Sequence, residues 1–244
     1  MSNINTDMAW PKWPILGYGR ASLIGIILRL YPWLAGKIFD FQITERILEY
    51  PFCHEEVKEG TGNLLDVGSG SSLLPFELTS KGYNVWSLDL HNGYCSFIND
   101  SNLTIVQQDI RNTNFPDNFF DIVTAISTIE HVGLGNKNSE LQGDRDAVRE
   151  IKRILKTSGK FLITMPFGKP GLWLQNNVPQ FRVYNFDLLE KLLDGFIIEK
   201  EKYGVCVNGN WRISTRVEAE NIDSLDQRIW HSSKAVAMVL ARRL

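Results

Sequence analysis

The chain has 244 residues and a formal net charge of -2, with 26 Lys and Arg against 28 Asp and Glu. This length suits one large α/β domain, alone or with an extension, and the near-zero charge argues against a basic surface for nucleic acid. The three cysteines (Cys53, Cys95 and Cys206) lie far apart and the four histidines have no metal-ligand spacing. We therefore expect neither a disulfide framework nor a metal site, and a reducing, cytoplasmic setting.

The first 59 residues predict a helical extension ahead of the main domain. Residues 15–37 predict one or two short helices broken near Pro32, and residues 40–58 predict another helix that Pro51 interrupts. We expect this extension to act as a lid that packs over the ligand cleft of the domain that follows.

Residues 21–28 form an apolar run within this extension, between Arg20 and Arg29. The run is too short for a membrane span, which needs about 20 apolar residues. A second interpretation stays open beside the lid: part of residues 15–39 forms an interfacial helix that contacts a membrane surface or a lipid-bearing acceptor.

From residue 60 to residue 244, short apolar strands alternate with amphipathic helices, which predicts a doubly wound, mostly parallel sheet with helices on both faces. The predicted strands cover residues 63–67, 83–90, 103–108, 119–127, 160–165, 196–203 and 235–241. Predicted helices begin near Ser72, at a capping Asp144 and at a capping Asn185, and Gly159 is expected to end the second of them.

The first strand runs into the turn Asp66-Val67-Gly68-Ser69-Gly70-Ser71-Ser72. Gly68 and Gly70 have no Cβ, so a ligand can approach the backbone, and the helix that follows points free N–H groups at the same place. A dinucleotide fingerprint would need a third glycine where Leu73 stands, and Asp66 would repel a pyrophosphate. Asp66 suits a ligand that carries an ammonium group. A nicotinamide-dependent oxidoreductase is therefore the weaker interpretation.

Two further acids end the next two predicted strands. Asp89 follows Gly68 by 21 residues, a position from which a carboxylate accepts hydrogen bonds from ribose hydroxyls. Asp109 ends the third strand. Because the carboxyl ends of parallel strands meet at one edge of a sheet, we expect Asp66, Asp89 and Asp109 to surround one nucleoside-bearing ligand.

With these residues the chain resembles the class I S-adenosylmethionine-dependent methyltransferases, whose first motif reads Asp/Glu-x-Gly-x-Gly-x-Gly; Ser72 replaces the last glycine here. The resemblance implies a Rossmann-like sheet of seven strands, with an antiparallel seventh strand between the fifth and the sixth. It implies S-adenosylmethionine as cofactor and an adenine site made by the Asp109 carboxylate and the Ile110 N–H. The predicted cofactor-binding residues are Asp66, Gly68, Ser69, Gly70, Asp89, Leu90, Asp109, Ile110 and Ser127.

Glu130 and His131 follow the fourth strand, where the resemblance places residues that face the acceptor. An acid and an imidazole in this place can work as a base with an orienting partner, so we predict both as catalytic residues. The alternative that His131 only bonds a loop backbone stays open.

The acceptor is expected to be a small molecule or glycan-like. The chain has neither the Pro-Pro-aromatic motif nor the Pro-Cys pair that nucleic-acid methyltransferases carry. The segment from Glu130 to Gly135, followed by Gly143-Asp144, resembles methyltransferase-like proteins of surface glycan synthesis. Polar and aromatic residues after the fifth strand could bind a sugar: Trp173, Gln180, Phe181, Arg182 and Tyr184. A catalytically inactive, methyltransferase-like binding subunit is the alternative from another functional class.

Overall fold

The computed structural model describes residues 44–70, 72–91, 100–136, 138–225 and 233–244, all within one unit of the chain, residues 43–244. The strands are β1 (Asn63–Val67), β2 (Asn84–Asp89), β3 (Leu103–Gln107), β4 (Phe120–Ile126), β5 (Leu155–Pro166), β6 (Gly171–Gln175), β7 (Val178–Val183), β8 (Phe196–Val207), β9 (Asn210–Ser214) and β10 (Ala235–Arg243). The helices are α1 (Arg46–Glu56), α2 (Leu74–Thr79), the 3-10 helix Ile129–His131, α3 (Gly143–Ile154), α4 (Phe186–Leu192) and α5 (Arg216–Glu220). The predicted lid or interfacial helix within residues 15–39 lies outside the described residues.

A central sheet carries eight of these strands in the order β3-β2-β1-β4-β5-β10-β8-β9. Strands β1 to β5 pair in parallel, whereas β10 is antiparallel to both of its neighbours, β5 and β8. The doubly wound sheet and the antiparallel strand between the fifth and sixth are thus confirmed. The parallel pairing brings the carboxyl ends of β1 to β4 to one edge of the sheet, where ligands bind in open α/β folds.

Both faces of the sheet are buried, as the near-continuous apolar runs of β1 and β4 require. One face packs against α3 and α4, through residues such as Ile151 and Leu189. The other face packs against α1 and α2, through residues such as Phe52 and Leu78. Among the described residues, no helix combines the length and apolar character that crossing a membrane requires.

Helix α1 continues through Pro51, contrary to the predicted interruption. A proline inside a helix costs about 3 kcal/mol because it removes a backbone hydrogen bond and crowds the preceding turn. Phe52, Cys53 and Val57, which follow Pro51, are fully buried in the core beneath the helix. We infer that this packing outweighs the cost of the proline.

Four predicted features differ from the structure in the second half of the chain. Strand β9 is an eighth strand of the sheet, and β6 and β7 form a separate hairpin where a loop was expected. Helix α3 ends at Ile154 because Leu155 is already extended and pairs with Phe120 of β4; Gly159 therefore lies inside β5. Asp144 lies in the first turn of α3 and does not cap it, since its carboxylate accepts from Tyr184. Asn185 caps α4 as predicted.

Candidate functional site

Two cavities lie at the carboxyl edge of the sheet and share Val67 and Gly68. The strand-side cavity, about 180 Å³, lies between the ends of β1, β2 and β3 and the loop at residues 128–134. The helix-side cavity, about 280 Å³, lies between α1 and the turn that carries Gly68 and Gly70. The backbone of the glycine turn thus faces both spaces.

The glycine turn presents bare backbone to these cavities. Gly68 and Gly70 have φ values of 74° and 48°, a region that residues with a Cβ rarely adopt. A Cβ built on Gly68 would overlap the Thr128 side chain. A Cβ built on Gly70 would have no atom closer than 4.0 Å. Ser69 is fixed below the turn by a 2.7 Å hydrogen bond from Ser87. The turn can therefore cradle a ligand at close range.

Asp89 holds the glycine turn against β2. Its carboxylate accepts from the Gly70 N–H at 2.9 Å and from the His91 N–H at 3.0 Å, one bond on each oxygen. A carboxylate has about four acceptor positions, so the two oxygens can still accept from a ligand's hydroxyl groups. Leu90, the next residue, is exposed and lines the strand-side cavity beside Asp89.

Asp109 and Ile110 line the same cavity, but Asp109 has a protein partner that the sequence analysis missed. The Arg111 guanidinium and backbone N–H donate to both oxygens of Asp109, at 2.6–3.0 Å. These bonds from Arg111 lower the pKa of Asp109, so the carboxylate stays ionised at neutral pH. Arg111 also forms an ion pair with Glu140. The position of Arg111, two residues after Asp109, was the sequence feature that could have indicated the pair of Asp109 and Arg111.

Asp66 lies in the wall of the helix-side cavity, 2% exposed. Thr124, its register partner on β4, donates a 2.6 Å hydrogen bond to the carboxylate. Burial nevertheless raises the pKa of Asp66 to about 7, because desolvation penalises the charged form more than one hydrogen bond stabilises it. Asp66 can thus hold a proton until a cation arrives.

Helix α1 adds a guanidinium and a carboxylate to the site. Glu49 is fully buried and accepts 2.6 Å hydrogen bonds from Ser127, Thr164 and Arg46. Arg46, 37% exposed, lines the helix-side cavity opposite Asp66. Only the three-residue spacing of Arg46 and Glu49 hinted at this pair, and no motif marked it. Ser127 lines neither cavity, since its hydroxyl serves Glu49.

His131 lines the strand-side cavity with 55% of its side chain exposed. Its Nδ1 lies 2.7 Å from the carbonyl oxygen of Gln180, which can only accept, so Nδ1 carries the proton of the neutral ring. Nε2 is left as the basic nitrogen. Desolvation lowers the pKa of His131, which keeps the ring neutral at pH 7.

Glu130 lies beside His131, its Oε1 3.7 Å from Nε2 of the ring. The 3-10 helix turns both side chains toward the same region, which a straight strand would not do. Glu130 is 1% exposed, and burial raises its pKa well above the ordinary value. Its Oε2 is buried without a hydrogen-bond partner in the part of the chain that the structure describes.

The β6–β7 hairpin holds the loop that carries His131. Buried Arg182 donates to four backbone oxygens of this loop, those of Glu130, Val132, Glu140 and Leu141. Trp173 and Phe181 stack on each other at 5.3 Å between ring centroids and are buried. These residues therefore order the site from behind and do not present an open sugar-binding face.

Comparisons with known proteins agree with this geometry. A family model described as a methyltransferase domain matches residues 65–163. Over 101 residues the chain is 36% identical to the ubiquinone/menaquinone biosynthesis C-methyltransferase UbiE of Shewanella sp. (strain ANA-3), a match that covers 41% of this chain and 34% of that protein. The match thus spans about a third of the length of this curated relative.

Two solved structures resemble the fold over nearly the whole chain. The 1,6-didemethyltoxoflavin-N1-methyltransferase of Burkholderia thailandensis, with 1,6-didemethyltoxoflavin and S-adenosylhomocysteine bound, has a TM-score of 0.57 at 13% identity and covers 95% of this chain and 92% of that one. The [4+2]-cyclase SpnF has a TM-score of 0.59 at 15% identity and covers 90% of this chain and 94% of that one. Residues 65–163 thus match a methyltransferase domain, and the fold around them resembles that of a methyltransferase solved with S-adenosylhomocysteine bound.

Proposed function

We propose that the protein transfers a methyl group from S-adenosylmethionine to a small-molecule acceptor. The observation that carries the proposal is the convergence of Asp66, Asp89 and Asp109 on one bare glycine turn, with His131 on the wall of the same cavity as the latter two. The fold alone does not establish this activity, because a [4+2]-cyclase has a similar fold.

The donor set fits S-adenosylmethionine from end to end. Asp109 and the Ile110 N–H would hold the adenine, and Asp89 would hold the ribose in the strand-side cavity. In the helix-side cavity, Asp66 and Arg46 offer opposite charges to the ammonium and carboxylate of the methionine portion. No phosphate-binding cation is needed for such a ligand, and Asp66 would repel a dinucleotide.

His131 is the best-placed base for the transfer. When bound, S-adenosylmethionine supplies a methyl group already activated on its sulfonium sulfur. The protein's residues then have to orient the acceptor, exclude water and take its proton. His131 Nε2 is the basic nitrogen of a neutral ring, and the Gln180 carbonyl fixes its orientation. Oε1 of the buried Glu130 lies 3.7 Å from the same nitrogen.

The relatives do not identify the acceptor. The match to the quinone C-methyltransferase covers 41% of the chain. A glycan-like acceptor loses the support of Trp173 and Phe181, which are buried against each other. The glycan-like class now rests on the resemblance of the loop from Glu130 to Gly135 to proteins of surface glycan synthesis. A catalytically inactive binding subunit stays the second candidate function.

Calorimetry with S-adenosylhomocysteine, S-adenosylmethionine and NAD tests the donor assignment. We expect wild-type protein to bind the first two and not NAD. Asp89→Ala should weaken S-adenosylhomocysteine binding by about 1.5–3 kcal/mol per lost charge-assisted hydrogen bond. The affinity of Asp89→Asn, which keeps one acceptor oxygen, should lie between those of wild-type protein and Asp89→Ala. Unchanged affinity in folded Asp89→Ala would contradict the assignment, and methyl transfer to an acceptor panel separates an enzyme from a binding subunit.

A further inference from the structure

Carboxyl groups outnumber cations in the buried region behind His131. Glu49 reaches this region from α1, Glu45 reaches it from the residue just before α1, and Glu130 reaches it from the 3-10 helix. Arg46 is the cation that acts on all three, and its hydrogen bond goes to Glu49. Glu49 also accepts hydrogen bonds from two hydroxyl groups. Among the described residues of this region, the carboxyl groups that are short of partners are therefore those of Glu45 and Glu130.

The two under-partnered acids each bury an unbonded oxygen. Within the described residues, Oε2 of Glu45 and Oε2 of Glu130 have no hydrogen-bond donor. A buried carboxyl oxygen without a partner costs free energy, so such atoms point to a missing ligand or a functional role. Besides burial, the carboxylate of Glu49 raises the pKa of both acids, and Glu45 also raises the pKa of Glu130. A cationic N–H donor that reached either oxygen would relieve its penalty.

We propose that the acceptor is an amine that enters as an ammonium ion, and that the unpartnered carboxyl oxygens of Glu130 and Glu45 receive its N–H groups. The inference rests on the proposed function, and it names the acceptor class for that same site. An alcohol would donate one hydrogen bond but leave the excess negative charge in place. A carbon nucleophile would leave both oxygens unbonded.

Glu130 and the residue beside it can take the proton that the proposed methyl transfer releases. The ammonium R–NH3+ gives one proton to a base, either Glu130 or Nε2 of His131, 3.7 Å from Glu130. The nitrogen lone pair that this frees forms the N–C bond to the methyl group. The C–S bond breaks with its electron pair on sulfur, which leaves S-adenosylhomocysteine and a methylammonium product, R–NH2+–CH3.

Matched probes test the acceptor class on the full chain saturated with S-adenosylhomocysteine. The probes are benzylamine against benzyl alcohol and glucosamine against glucose, measured by calorimetry and by mass spectrometry of methylated products. We expect at least one amine to bind about tenfold or more tighter than its alcohol partner, a difference of about 1.4 kcal/mol. Glu130→Gln should abolish that preference and leave S-adenosylhomocysteine affinity within about twofold of wild type.

Proton release gives an independent readout. Calorimetry in buffers of different ionisation enthalpy counts protons released as the amine binds, and a neutral Glu130 that ionises should release about one. The titratable and charged groups around Glu130 are Glu45, Arg46, Glu49, His131, Tyr184 and Arg182, whose guanidinium donates to the Glu130 backbone oxygen. Glu45→Gln, at a less buried position, serves as a second variant if Glu130→Gln does not fold.

Equal binding of amines and alcohols, no binding of any amine, or a preference that survives both variants would each overturn the amine assignment. None of these outcomes would contradict the assignment of the S-adenosylmethionine site. Failure to bind S-adenosylhomocysteine at all would instead remove the proposed function, so the two failures are distinguishable.

Discussion

Asp66 and Thr124 face each other across β1 and β4, joined by a 2.6 Å hydrogen bond from the threonine hydroxyl to the carboxylate. The pair lies at the point where the glycine turn leaves the sheet. Burial raises the pKa of Asp66 to about 7, so its charge is set by pH in the physiological range. The proposed ammonium site at Asp66 is therefore sensitive to pH.

The affinity for S-adenosylhomocysteine should fall as the solution becomes acidic. The ligand's ammonium group needs ionised Asp66, so binding is at full strength above pH 7 and weakens below it, by about tenfold per pH unit. Calorimetry between pH 5.5 and 8 measures this slope. Asp66→Asn should flatten it, and 5′-methylthioadenosine, which lacks the amino-acid portion, should bind with no such slope in wild-type protein. A flat profile for S-adenosylhomocysteine would contradict the assignment.

Arg46 should recognise the carboxylate of the same amino-acid portion. Its guanidinium lines the helix-side cavity and donates one hydrogen bond to Glu49. Arg46→Met should weaken S-adenosylhomocysteine binding by about 1.5–3 kcal/mol and leave 5′-methylthioadenosine affinity unchanged. Arg149→Met is the matched control, because Arg149 is exposed on α3. Equal losses for both ligands would mean that Arg46 acts through folding and not through the carboxylate.

The donor half of the site was predictable because it is local. Asp66, Gly68, Gly70 and Asp89 each sit at a strand end, where one strand–turn–helix pattern fixes both spacing and direction, and the structure brings them to one turn. Arg46 and Glu49 were not predictable, since Glu49 meets Thr164, 115 residues later, through tertiary packing alone. Long-range partners of this kind leave no spacing rule in the chain.

The two missed hairpins did leave a signal. Asn176-Asn177 and Asn208-Gly209 have positive φ at both positions, as two-residue hairpin turns require, and asparagine and glycine tolerate that region best. Reading those dipeptides as turns predicts β6–β7 and β8–β9. The end of α3 was misplaced for a different reason: Gly159 suggested a helix end, but pairing of Leu155 with Phe120 starts the strand earlier.

Arg182 should be the residue on which the ordering of the acceptor loop depends most. It is buried, donates to four backbone oxygens and faces the Asp144 carboxylate at 3.5 Å. Arg182→Met should lower the free energy of unfolding by about 3–5 kcal/mol, because it leaves Asp144 buried without its counter-charge. Urea unfolding followed by circular dichroism measures the loss. Arg212→Met, at an exposed ion pair near the sheet edge, should leave the midpoint near that of wild type.

His131 should set the pH dependence of turnover. A base must be unprotonated to accept the acceptor's proton, and the pKa of His131 is lowered below 6.5. The turnover number should therefore rise with pH through a value below 6.5 and be level at neutral pH as far as His131 determines it. This limb lies below the Asp66 transition, so measurement at saturating S-adenosylmethionine separates catalysis from donor binding. His131→Ala should lower the turnover number by about 10²–10⁴-fold and remove the acid limb, with S-adenosylhomocysteine affinity nearly unchanged.

The control for His131 is His54, an imidazole on α1 that pairs with Glu77 at 2.9 Å and lines neither cavity. His54→Ala should keep wild-type turnover and the same acid limb. Gln180 offers a subtler check, because its backbone carbonyl, not its side chain, fixes the His131 ring. Gln180→Ala should therefore retain the pH profile. A His131→Ala variant with full turnover on the true acceptor would show that positioning alone, without a protein base at this nitrogen, carries the transfer.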